Sequence, residues 1–138
     1  GAYVPMKFYT GGAERLRIDT TGNVLATSGA LGYGVGAGGV AVQATNKFTD
    51  VTLNKPCGRI IMNNAALAAG AYVFFNLMNS TISTADEVSV TTVVGINYRV
   101  EVVNIWDGGC AFRVTNTSAY SPSDALTINF KVFKGALS

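Results

Sequence analysis

Histidine is absent from all 138 residues. That absence removes Ser-His-Asp and Cys-His catalytic arrangements and the commonest zinc ligand. Two cysteines, Cys57 and Cys110, are too few for a disulfide scaffold and, without histidine, for a zinc site. Each lies in an apolar stretch and reads as a small packing residue, with a single bridge between them as the open alternative. Charge is scarce too: Asp, Glu, Lys and Arg make up 13% of the chain, about half the usual share. The ten basic residues are scattered singly, with no cluster to track a phosphate backbone, so no nucleic-acid partner is expected. No apolar run reaches the ~18 residues a membrane-crossing helix needs, and the densest, Ala65 to Phe75, is broken by Gly70. Helical periodicity is missing as well. Ala65-Ala66-Leu67-Ala68-Ala69 offers one turn, too little to stand as a helix. No signal peptide is visible, and the opening Gly1-Ala2-Tyr3 predicts a piece of something longer.

What the chain does have is apolar and strand-like. Hydrophobic residues reach 49%, and there are 16 glycines. So much apolar surface with so little charge predicts an obligate oligomer. The sequence divides into a shaft-like β-hairpin with a Gly-rich connector over residues 1–38, and a head over residues 39–138. In the first part, Met6 to Thr10 and Glu14 to Asp19 flank Gly11-Gly12-Ala13. A three-residue loop matches Phe8 with Leu16 and Met6 with Ile18, whereas a two-residue loop would set Phe8 against Arg15. This hairpin has one thin apolar face and needs neighbours, which copies of itself in a trimer would supply.

Between Gly29 and Gly39, six glycines read either as a flexible linker or as close packing of three chains. A phosphate-loop reading of Gly34 to Gly39 lacks both the strand-then-helix setting and the Lys-Ser/Thr ending.

The head reads as eight strands: Val40 to Thr45, Val51 to Leu53, Gly58 to Asn63, Ala71 to Met78, Glu87 to Val94, Tyr98 to Ile105, Cys110 to Thr115 and Leu126 to Val132. Their spacing predicts an antiparallel, jelly-roll-like β-sandwich. Asp107-Gly108 marks the clearest hairpin, with positive φ angles supplied by both residues.

Paired carboxylates are the one remaining route to catalysis. Each in the head has a plainer explanation. Asp107 belongs to its turn and Asp124 to a Ser-Pro-Ser-Asp loop. Asp86 and Glu87 face water at a strand start, and Glu101 pairs with Arg99 and Arg113. Asp50 completes the set. No enzyme activity, cofactor or metal is expected. The aromatics are more informative. Tyr72, Phe74, Asn76 and Met78 share one strand face, and Val73, Phe75 and Leu77 share the other, the core face. Burial of Tyr72, Phe74 and Met78, together with Leu16 and Ile18, in a trimer interface is the first reading, and a stacking surface for sugar rings the second. Trp106 beside a hairpin tip and Tyr120 in a polar loop are the best candidates for ligand contact, with Tyr33 and Asn116 behind them.

The run Glu14-Arg15-Leu16-Arg17-Ile18-Asp19-Thr20-Thr21-Gly22-Asn23-Val24 resembles a segment of bacteriophage tail fibres that joins the shaft to the part beyond it. Val51 to Ile60, Met62 to Gly70, Asn97 to Val102 and Arg113 to Ser118 are similar to the C-terminal head domains of phage and prophage fibres. The resemblance implies a homotrimer at the tip of a virion tail fibre, assembled in the host cytoplasm and joined to the rest of the fibre. It implies binding to a bacterial surface glycan or outer-membrane protein, and no defined catalytic residues. A trimerisation, capping or virion decoration module without receptor binding is the alternative, and a glycan depolymerase a third class.

Overall fold

The computed structural model describes residues 3–136. Within them the protein is all-β, with eleven strands and no helix. The chain separates into two compact units, Gly1–Gly34 and Val35–Ser138.

The first unit is a three-stranded antiparallel sheet of β1 (Met6–Thr10), β2 (Ala13–Ile18) and β3 (Val24–Ala26), in that order. Met6 lies opposite Ile18 and Phe8 opposite Leu16, the register the apolar pattern predicts. The means differs from the predicted three-residue loop. Thr10 pairs with Ala13 across a two-residue turn, and Gly11 and Gly12 both hold positive φ, at 58° and 76°. Arg15 is then the extra residue of a β-bulge between Phe8 and Tyr9, which shifts the apolar residues back into line. Turn chemistry and side-chain matching are both satisfied, at the cost of one unpaired residue.

The second unit holds two four-stranded sheets. One runs β5 (Val51–Thr52), β7 (Tyr72–Met78), β10 (Gly109–Asn116), β9 (Tyr98–Trp106). The other runs β4 (Val40–Val42), β6 (Cys57–Ile61), β11 (Thr127–Phe133), β8 (Glu87–Val94). Their alternate side chains supply one core. Phe75, Leu77, Cys110, Phe112 and Val114 come from the first sheet, and Ile60, Val88, Ile128, Phe130 and Val132 from the second. Phe75 stacks on Phe112 with ring centres 5.1 Å apart. The arrangement is consistent with a β-sandwich.

A wholly antiparallel sandwich does not form. β4 pairs parallel with β6, and β5 pairs parallel with β7. The cause is the route of the chain. From β4 to β9 successive strands alternate between sheets, so two strands that return to the same sheet have been reversed twice and run the same way. Only β9 and β10 are consecutive neighbours in this unit, joined across Asp107-Gly108. There the positive φ falls on Gly108 alone. Both cysteines are free; Cys110 is fully buried and Cys57 half-buried. Burial pushes the Cys110 thiol up to about 12, so it packs as an unreactive apolar group.

Candidate functional site

The outward face of the β5-β7-β10-β9 sheet carries four of the candidate residues, Tyr72, Phe74, Met78 and Trp106. On β7 the exposed side chains are Tyr72, Phe74 and Met78, while Phe75 and Leu77 are buried. Cross-strand pairing extends each of them into a row. Tyr72 lies beside Thr115 and Arg99, and Phe74 beside Arg113 and Glu101. Asn76 lies beside Ala111 and Asn104, and Met78 beside Gly109 and Trp106. Tyr72 and Phe74 meet edge to face, 5.4 Å between ring centres. The ring of Trp106 leans over Gly109, where a Cβ would come within 2.9 Å of it.

Charge occupies the β9–β10 side of this face. Arg113 donates from Nε (2.9 Å) and Nη2 (2.6 Å) to Glu101 Oε2, and Arg99 Nη2 reaches the same oxygen at 3.5 Å. The guanidinium of Arg113, seconded by that of Arg99, holds the Glu101 carboxyl below its ordinary range. One carboxylate thus serves two guanidinium groups. At the β5 edge, Asp50 accepts from the backbone and side-chain N–H of Asn76.

Of the residues proposed for ligand contact, Tyr120 and Asn116 lie together and Trp106 lies apart from them. Trp106 is half-buried at the hairpin end of β9. Tyr120 is exposed past the far end of β10, its hydroxyl accepting from Asn97 Nδ2. Along β10 those ends lie about 23 Å apart. Tyr33 is exposed and belongs to the first unit. Asn116 is a correction. It is fully buried, its Nδ2 donates to the carbonyls of Leu67, Ala68 and Tyr120, and its Oδ1 accepts from Ser118 N and Oγ. Its hydrogen-bonding capacity is spent fastening loops, which leaves nothing for a ligand. Leu16 and Ile18, in the first unit, are half-buried on a face shared with Met6, Phe8, Val24 and Ala26.

Asp86 is a second correction, because it does not face water. Its side chain is fully buried and accepts from Ser83 N, Gly135 N and Lys134 Nζ. The Lys134 ammonium, with the two backbone donors, holds this carboxyl far below the usual carboxylate range. Sequence reading also missed Lys47. This lysine is buried, donates to the carbonyls of Asn63 and Asp124 at 2.6 Å each, and sits 5.4 Å from the centre of the Tyr98 ring. Burial lowers its pKa. One signal was available for the buried amides. Asp19-Thr20-Thr21, Asn79-Ser80-Thr81 and Asn116-Thr117-Ser118 repeat one pattern. In each, the first residue's Oδ1 accepts from the backbone N–H and hydroxyl of the residue two places on. Each stands at the end of β2, β7 or β10, so these residues close strands.

Among the described residues no group of three or more Cys, Asp or Glu is placed to hold a metal ion. No family model, curated protein or solved structure matches the chain.

Proposed function

We propose that this chain is the distal, host-recognising part of a trimeric bacteriophage tail fibre, which adheres to a bacterial surface glycan or outer-membrane protein without covalent chemistry. One observation carries the reading. The fibre-like segment from Glu14 to Val24 forms a strand, a turn and a strand, and the sheet it builds with β1 and β3 sets Met6, Phe8, Leu16, Ile18, Val24 and Ala26 in two apolar cross-strand rows. Met6, Phe8 and Val24 in those rows are exposed in the single chain. A sheet of this size with one uncovered apolar side is stable only when something packs on it. Two further copies would meet that need.

The motif itself has a physical logic that suits a repeated junction. Asp19 accepts from Thr21 N and Oγ1 and from Asn23 N and Nδ2, and Gly22 takes the positive φ of 91°. Every residue of Asp19-Thr20-Thr21-Gly22-Asn23 except Thr20 is committed to the turn by its side chain or its φ. Three linked heads would raise avidity even where each site is weak.

Adsorption of the fluorescently labelled chain to a panel of bacterial strains tests the proposal. Saturable binding that blocks infection by a phage carrying this sequence is expected. A capping or decoration module would neither adsorb nor block.

A further inference from the structure

We propose that the outward face of the β5-β7-β10-β9 sheet is a saccharide subsite that takes an acidic glycan, with Tyr72 and Phe74 as the stacking platform and Arg99 and Arg113 as the carboxylate-facing side. The inference deepens the receptor-binding reading above and rests on it for its biological sense.

The face is mixed, and that decides between occupants. The cores of protein interfaces are depleted in charge. Burying the Arg99, Glu101 and Arg113 cluster under a second copy would strip water from three charged groups, one of them shared between the other two. A pyranose is itself mixed, with an apolar ring face and a polar rim, and needs an apolar platform with polar groups next to it. The register supplies that combination: Phe74 is the direct cross-strand neighbour of Arg113, and Tyr72 is one strand removed from Arg99.

The sign of the charge selects among saccharides. Two guanidinium groups share Glu101 Oε2, so this side of the face keeps a positive excess. Arg99 is the more open of the two, with 63% of its side chain exposed and only one contact at 3.5 Å to Glu101, so it has donors left to meet a planar carboxylate. Besides Glu101, Asp50 stands at the opposite edge of this sheet. It is already engaged by Asn76 and lies three strand spacings from β9, roughly 14 Å, beyond the screening length of physiological salt.

The test is a glycan array of uronate- and sialate-containing oligosaccharides beside their carboxyl-reduced neutral counterparts. It is probed with the full chain, with Phe74→Ala and with Arg99→Ala, each first shown to unfold at the wild-type temperature. The expected result is retention on acidic glycans about tenfold above the neutral ones, lost on raising salt to molar levels and cut about tenfold by either substitution. Equal retention of acidic and neutral glycans, or retention of neither, overturns the proposal. So does a change in light-scattering mass on Phe74→Ala with unchanged glycan binding, which would make this face a protein interface. Cell adsorption, measured alongside, separates the two readings. Adsorption that neither substitution touches sinks this subsite and leaves the receptor reading standing. Acidic-glycan binding without adsorption to any strain does the reverse.

Discussion

Asn116 and Asp86 show what single residues do in a molecule with so few charges. Both sit in buried surroundings with every polar atom engaged, so removing either leaves partners unpaired. Asn116→Ala strands the carbonyl of Leu67 and the N–H of Ser118, and takes one of two donors from the carbonyls of Ala68 and Tyr120. We expect a loss of about 2–3 kcal/mol in urea unfolding. For Asp86 the readout is pH. Its folded-state pKa is depressed, so between that value and the ordinary carboxylate value the unfolded chain binds more protons. Its contribution is therefore complete at neutral pH and drains away as pH falls below the ordinary carboxylate range. Asp19 and Glu101 are depressed too and act in the same direction. Asp86→Asn should be less stable than wild type at pH 7 and should lose less on going from pH 5 to pH 3. Urea midpoints across that range check it; parallel pH profiles for the two proteins would show that Asp86 carries no such linkage. Neither residue's role was legible beforehand. A carboxylate at a strand start ordinarily faces water, and only the distant Lys134 and Gly135 reveal the socket that receives this one.

At the scale of elements, the sequence was read well wherever local periodicity governs. The eight expected head strands all form, with ends shifted by up to three residues, and the inward residues of β7 are those the alternation marks. Strand direction was illegible. The parallel edges β4 and β5 arise from the order in which the chain visits two sheets, a long-range property that no window of residues contains. The bulge at Arg15 escaped for a related reason. Turn preference and apolar matching each named a different loop, and the fold satisfied both by inserting a residue. Gly109 marks where two elements leave no room. A Cβ there would lie 2.6 Å from the carbonyl oxygen of Leu77 on β7, which cannot retreat without disturbing the β7–β10 ladder. Gly109→Ala should therefore cost about 1–3 kcal/mol. Gly32→Ala, where a Cβ meets open space and φ is not positive, should fall within about 0.5 kcal/mol of wild type. Thermal melts of the pair check the contrast.

At the scale of the whole molecule, two exposed faces of different chemistry divide the work. The β1-β2-β3 sheet carries two apolar cross-strand rows, with Arg15 hydrogen-bonded to Thr10 and Ser28 at its turn end, whereas the face around Tyr72 and Phe74 mixes rings with an ion cluster throughout. Burial of apolar surface is favourable in proportion to its area, and the two apolar rows can be covered without desolvating a charge, so the proposed self-association is assigned to the first. The proposed trimer then predicts a particle of three times 14.4 kDa by light scattering. It also predicts that Ile18→Asp, which sets a carboxylate between Met6 and Val24 at the centre of one apolar row, returns the protein to a single chain. The second unit holds the large core and none of these residues, so the variant should keep its β-sheet circular dichroism and its main unfolding transition. A wild-type mass of one chain at micromolar concentration would remove the trimer. An Ile18→Asp protein that stays trimeric would move the interface off this sheet, and Phe74→Ala is then the variant whose mass decides whether the aromatic face has taken its place.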